Sequence, residues 1–148
     1  SHYLGLKRTF YETKHFGVYP GKNLNRKHPI TGDCDDLFFC PQSRFSKIDD
    51  RELEQWEKDG KIQLLAYGQE SGYFIYATPN DRFIMHLGHP EYNSGRILDE
   101  ADRDKKLQLD YVKAPENFDL ENPINTWRSH RNEFFTAWVK HVYLKTQY

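Results

Sequence analysis

Arg82-Phe83-Ile84-Met85-His86-Leu87-Gly88-His89-Pro90-Glu91-Tyr92 is an apolar run that stops at a glycine and then presents His-Pro-Glu. Phe83, Ile84, Met85 and Leu87 carry little polarity, so the run predicts a strand covered on both faces. Pro90 disfavours the α region for His89 and fixes its own φ, which predicts an extended segment with His89 and Glu91 projecting to one side. Glu91 then orients the His89 ring and leaves its second nitrogen to take a proton, as base and orienting acid do in a nucleophile–base–acid triad. Position adds weight, because open α/β sheets bind ligands at the carboxyl ends of their strands. Two other readings stay open on local sequence alone: a solvated, hydrogen-bonded loop, and a metal set of His86, His89 and Glu91.

Two strands lead into this run. Lys61 to Tyr67 and Tyr73 to Thr78, joined to each other and to Arg82 by Gln69-Glu70-Ser71-Gly72 and Pro79-Asn80-Asp81, predict an antiparallel meander. Upstream, Lys14 to Tyr19 and Asp36 to Cys40 read as short strands ended by Pro20-Gly21 and by Pro41, with a polar loop from Asn23 to Asp33. Asp49 or Asp50 caps a helix through about Lys58, with Leu53 and Trp56 inward and Gly60 as the stop. Downstream, Asn93 or Ser94 caps a long helix from Gly95 to Lys113, with Leu98, Ala101, Leu109 and Val112 on one face. Ala114 to Thr126 holds two prolines and no periodicity, which fits an ordered wrap or a flexible connection. Ser129 caps a last helix whose stripe of Phe135, Trp138, Val139 and Val142 is assigned to the core. His2-Tyr3-Leu4-Gly5 reads as the tail of a helix closing at a glycine.

With 148 residues the chain holds one domain's worth of core. A formal charge of −1 argues against nucleic acid or an acidic membrane surface as partner. No apolar run is long enough to span a bilayer and no apolar signal segment opens the chain, so a soluble, cytoplasmic protein is expected. Cys34 and Cys40 are too few for a disulfide framework and match no zinc spacing; reduced, structural thiols are expected.

The residues resemble the homoserine O-acyltransferases of methionine biosynthesis, relatives of class I glutamine amidotransferases. The resemblance rests on Gly88-His89-Pro90-Glu91-Tyr92, on Pro41-Gln42-Ser43-Arg44-Phe45, on Lys14 followed by Gly17-Val18-Tyr19, and on Trp127-Arg128-Ser129-His130 leading into Phe134-Phe135-Thr136-Ala137-Trp138. It covers essentially the whole chain. It implies an α/β fold of the class I glutamine amidotransferase-like, flavodoxin-like three-layer type, with residues 1–148 as the carboxyl-terminal part of one domain containing the meander and two long helices.

The chemistry it implies is ping-pong acyl transfer, in which a cysteine takes an acyl group from acyl-coenzyme A and passes it to the hydroxyl of L-homoserine. By the same resemblance His89 is the base, Glu91 the orienting carboxylate, and Lys14, Ser43 and Arg103 contact substrate, with Arg103 gripping the α-carboxylate. No metal and no bound cofactor are implied; acyl-coenzyme A is a co-substrate. Each substrate residue also has a plainer role: Arg103 pairing with Asp99, Lys14 on the surface, Ser43 capping a turn.

One departure stands out. The family's nucleophile falls roughly two helical turns before Ser1, and the position that selects acetyl or succinyl also falls outside the chain. Cys40 stands where the family has no nucleophile, and Cys34 sits among Asp33, Asp35 and Asp36, which disfavours its thiolate. The 148 residues alone are therefore expected to be inactive, and to pair with the nucleophile-bearing half or with a second copy as a homodimer, because a sheet edge and two apolar helix faces would otherwise stand uncovered. Serine as acceptor and a catalytically inactive fragment remain the alternatives, since one methylene changes pocket binding by only about 1–3 kcal/mol.

Overall fold

Largely apolar and alternating stretches of this chain pair into one sheet, and three helices pack around it. The structure is a computed structural model and describes residues 5–146; the helix tail expected at residues 2–4 lies outside them. In chain order the elements are β1 Arg8–Asn23, β2 Leu37–Ile48, α1 Asp50–Lys58, β3 Gln63–Gly68, β4 Gly72–Ala77, β5 Ile84–His86, α2 Ser94–Lys106 and α3 Arg128–Lys145. The strands lie in the order β2-β1-β3-β4-β5, and each neighbouring pair is antiparallel.

Helices cover both faces of the sheet. Leu64 and Tyr76 cluster with Leu53 of α1, whereas Leu65, Ile75 and Ala77 cluster with Phe134 of α3. Adjacent residues of one strand thus feed opposite layers, as the period of two requires. A third cluster joins Phe16 and Val18 of β1 to Ile97 of α2 and to Trp127. No helix of the described residues is long and apolar enough to cross a membrane.

α1 forms as its sequence predicts. Asp49 accepts the Arg51 amide at its start, Leu53 is fully buried, and Gly60 adopts φ 69° just past its end. The meander of β3, β4 and β5 is likewise as expected. The first two strands are much longer than predicted, because neither Pro20 nor Pro41 interrupts its ladder. Each stands where one side of its strand needs no donor: β2 is the edge of the sheet, and β1 meets β3 only at Lys22 and Asn23.

Four further expectations are corrected. β5 is half-buried rather than covered on both faces, being the short strand at the other edge. α2 ends at Lys106 and not at Lys113; Gln108 takes φ 51°, and the chain turns back so that Tyr111 accepts the Lys14 amide. Its buried residues are Ile97, Glu100 and Asp104. In α3 the face toward the sheet carries His130, Phe134 and Ala137, while Trp138, Val139 and Val142 are exposed. The helix is apolar on more than one side, so its periodicity could not choose the inner face. Trp127, not Ser129, stands at its N-cap position, with no side-chain cap.

Residues 114–126 form an ordered wrap at the point where they meet β1. Glu116 donates its amide to Phe16 O and accepts that of Val18, a parallel bridge opposite Gly17. Gly17 has φ 151°, and a Cβ there would stand 2.2 Å from Glu116 O. Gly17→Ala should therefore cost about 2–3 kcal/mol of stability and release the Val18 and Glu116 amides to hydrogen exchange. Unchanged denaturation and exchange would contradict this reading of the wrap.

Candidate active site

The loop after β5 lies against β2 at a distance that only glycine permits. A Cβ on Gly88 would stand 2.7 Å from Cys40 Sγ, 2.8 Å from Gln42 Nε2 and 3.0 Å from Pro41 O. The next residue makes that approach a bond: His89 donates its amide to Pro41 O at 2.7 Å. Tyr92 then donates its amide to His89 O, and the Trp127 indole donates to Tyr92 O at 2.7 Å. Asn93 closes the loop by capping α2 through the Arg96 amide.

On this scaffold His89 and Glu91 meet, but in a turn closed by the Tyr92 amide on His89 O and not in the extended segment expected; Pro90, with its φ fixed, takes the first central position of that turn. Nδ1 of His89 lies 2.8 Å from Glu91 Oε1, and since a carboxylate only accepts, Nδ1 carries the proton. The ring stacks on Tyr92, centroids 4.4 Å apart and 20° from parallel. It is 32% exposed. Among the described residues no hydrogen bond occupies its Nε2, so the lone pair faces outward with its tautomer fixed from behind.

Lys14, Ser43 and Arg103 are brought together, and what gathers them is a pair of α2 carboxylates. The Lys14 ammonium donates to Glu100 at 2.7 Å and to Asp104 at 2.6 Å. Ser43 donates to the same Glu100 oxygen at 2.7 Å. Arg103 reaches Asp104 at 2.6 Å and Glu100 at 3.1 Å, and not Asp99. Lys14 is buried in this cluster rather than lying on the surface, while half of the Arg103 side chain is open to solvent.

Burial pulls the Glu100 carboxyl upward, but hydrogen bonds from Lys14 and Ser43 prevail and hold its pKa at about 2. The Tyr92 hydroxyl adds to that pull without closing a bond within 3.5 Å, since Glu100 Oε2 has no partner. Tyr92 thus lies between the two groups, with its ring stacked on His89 and its hydroxyl near Glu100. Sequence reasoning missed Tyr92, Glu100 and Asp104. The signal for the last two was their i, i+4 spacing beside Ile97 on the inner face of α2.

Neither cysteine is built for attack. Cys34 is buried, and burial together with Glu133, Asp35 and Asp33 pushes its thiol up to about 12. Burial raises the Cys40 thiol as well. The metal set of His86, His89 and Glu91 is not assembled among the described residues, where the ligand-type side chains that converge are Cys40, His86 and His130.

A sheet covered on both sides and a His-Glu pair after its edge strand define a class I glutamine amidotransferase-like fold. A glutamine amidotransferase from Thermotoga maritima superposes with a TM-score of 0.63 at 8% identity, over 97% of this chain and 56% of that one. One from Methylobacillus flagellatus does so with a TM-score of 0.54 at 12% identity, over 95% and 55%.

The family model for homoserine O-succinyltransferase matches residues 1–148, and the chain belongs to that family. It is 32% identical over 152 residues to a homoserine O-acetyltransferase of Agathobacter rectalis, covering 99% of this chain and 48% of that protein. A homoserine O-succinyltransferase of Shewanella halifaxensis is 31% identical over 153 residues, with 99% and 48% covered. The chain spans about half the length of these relatives.

The Glu100 cluster has a pH signature. Its folded pKa of about 2 lies below the ordinary 4.5, so its stabilisation is complete above the ordinary value and is lost as pH falls through about 2. Between about pH 5 and pH 2 the parent chain should lose about 2 kcal/mol that Glu100→Gln, already weaker at neutral pH, does not lose. Parallel acid limbs in urea titrations would contradict the assignment.

Proposed function

We propose that this chain supplies the base and the acceptor clamp of an acyl transfer from acyl-coenzyme A to the hydroxyl of L-homoserine, a step of methionine biosynthesis in the cytoplasm. The observation that carries the reading is the 2.8 Å contact of His89 Nδ1 with Glu91, which leaves Nε2 as the acceptor of a proton. In the first half-reaction a cysteine thiolate outside these 148 residues attacks the acyl carbonyl, and coenzyme A leaves as its thiol. In the second, Nε2 takes the proton of the homoserine hydroxyl as the oxygen attacks the thioester, and the cysteine sulfur is the leaving group. Glu91 holds the ring and stabilises the imidazolium that forms.

Arg103 keeps Nε and Nη2 on Asp104 and, half open to solvent, offers the remaining edge of its guanidinium to the α-carboxylate of the amino acid. Lys14 is too buried to follow it and acts by holding Glu100 and Asp104 in place. The partner is the nucleophile-bearing half of the enzyme or a second copy of this chain, covering the apolar outer face of α3 that Trp138 and Val139 present. The reaction calls on no bound cofactor, and the 148 residues alone are inactive for want of a nucleophile. Acetyl and succinyl donors are both compatible with this half of the site.

In the complete enzyme, with acyl-coenzyme A and homoserine, His89→Ala should lower kcat about 10²–10⁴-fold. Glu91→Gln should lower it less, and both should leave the fold intact. Serine in place of homoserine should react more slowly. Turnover that survives His89→Ala, or faster transfer to serine, would overturn the proposal.

A further inference from the structure

Behind the His89 loop a thiol and two imidazoles converge from three different elements. Cys40 stands in the middle of β2, His86 ends β5 and His130 lies in the first turn of α3, yet one ligand atom from each falls within 4.8 Å of the others. Cys40 and His130 are buried, and neither Nε2 of His86 nor either nitrogen of His130 has a hydrogen-bond partner. The surroundings are aromatic. Phe38 stacks on His130 at 3.8 Å, Phe74 meets His86 edge-on, and Phe134 contacts both rings. Two buried imidazoles left unpaired beside a thiol are costly unless something else occupies their lone pairs.

Two more features point to a cation. Gln42, two residues beyond Cys40 on the same face of β2, is buried with both amide atoms unpartnered, and it flanks Gly88 together with the Cys40 sulfur. On the other side, a cavity of about 110 Å³ that reaches His130 is lined by Asp33, Asp35 and Glu133, an acidic approach for a positive ion.

We propose that Cys40, His86 and His130 bind a zinc-class divalent cation, with the fourth position left to solvent or to the Gln42 side chain after its amide turns. One thiolate and two imidazoles suit a borderline-soft ion, and hard oxygen-seeking ions are excluded by the same donors. Tetrahedral bonds of about 2.0–2.3 Å set donors about 3.5 Å apart, so the three groups close by about 1 Å when the ion enters. Cys40 gives up its thiol hydrogen bond to Pro41 O at 3.5 Å and loses that proton to solvent. His86 Nδ1 accepts the Gly88 amide at 3.1 Å in the ion-free chain, so binding through Nε2 moves the ring proton to Nδ1 and breaks that bond. His130 keeps one N–H, and one proton leaves per ion. The site ties β2, β5 and α3 together directly behind the loop that carries His89.

Cobalt(II) titration of the reduced protein tests this independently of acyl transfer. One cobalt per chain should bind, with a thiolate-to-cobalt charge-transfer band in the near ultraviolet, intense tetrahedral bands in the visible, and displacement by zinc. Cys40→Ser should abolish the charge-transfer band, His130→Gln should weaken binding about tenfold or more, and Cys34→Ser should change neither. The parent chain also gives an answer without variants, by release of one proton per ion and movement of the His86 and His130 ring resonances. No charge-transfer band, a band that depends on Cys34, or binding that leaves both rings unmoved would overturn the proposal.

Discussion

The amide of His89 donating to the carbonyl of Pro41 at 2.7 Å, across a gap that only Gly88 can fit, is the constraint on which the site depends. It fastens the loop after an edge strand of three residues to the far side of the core, where Cys40 and Gln42 are fully buried. A loop held by its own backbone at that point has little freedom left, and Pro90 removes more of it. The imidazole and carboxylate then meet because the backbone has already aimed them. Their contact needs no burial, and the pair stays half open to a substrate.

A second constraint works through charge. Burying the Lys14 ammonium would be costly alone, and two buried carboxylates more so, but the three together with Arg103 balance and satisfy most of one another's hydrogen bonds. Such a cluster adds little net stability beyond what well-packed apolar residues would give. What it fixes is register: α2 can pack on β1 only where Glu100 and Asp104 find Lys14. Tyr92 carries that register to His89 by stacking on its ring.

The sequence was most legible where the determinants are local. The Asp49 cap, the Gly60 stop, the turns between β3, β4 and β5 and the pairing of His89 with Glu91, though not the turn that produces it, all depend on residues within a few positions of one another. It was least legible where a distant partner decides. Pro20 and Pro41 read as strand ends because their unpaired sides are visible only once the sheet is assembled. α2 stops seven residues early because Tyr111 is needed beside Lys14, and the inner face of α3 is chosen by His130 and Phe134 against the sheet, not by its most apolar stripe. Lys14, Ser43 and Arg103 were singled out through family resemblance and do lie together, but Glu100 and Asp104, which gather them, carried no local signal that a buried lysine would face them.

The proton on the His89 ring is the most direct test of this account. An imidazole held from behind by a carboxylate carries its proton on Nδ1 when neutral, whereas a free neutral imidazole favours Nε2. Nitrogen-15 NMR of the histidine rings at mildly alkaline pH distinguishes the two. The account predicts a protonated Nδ1 and a bare Nε2 for His89, lost on Glu91→Gln. A ring protonated on Nε2, unmoved by that substitution, would contradict it.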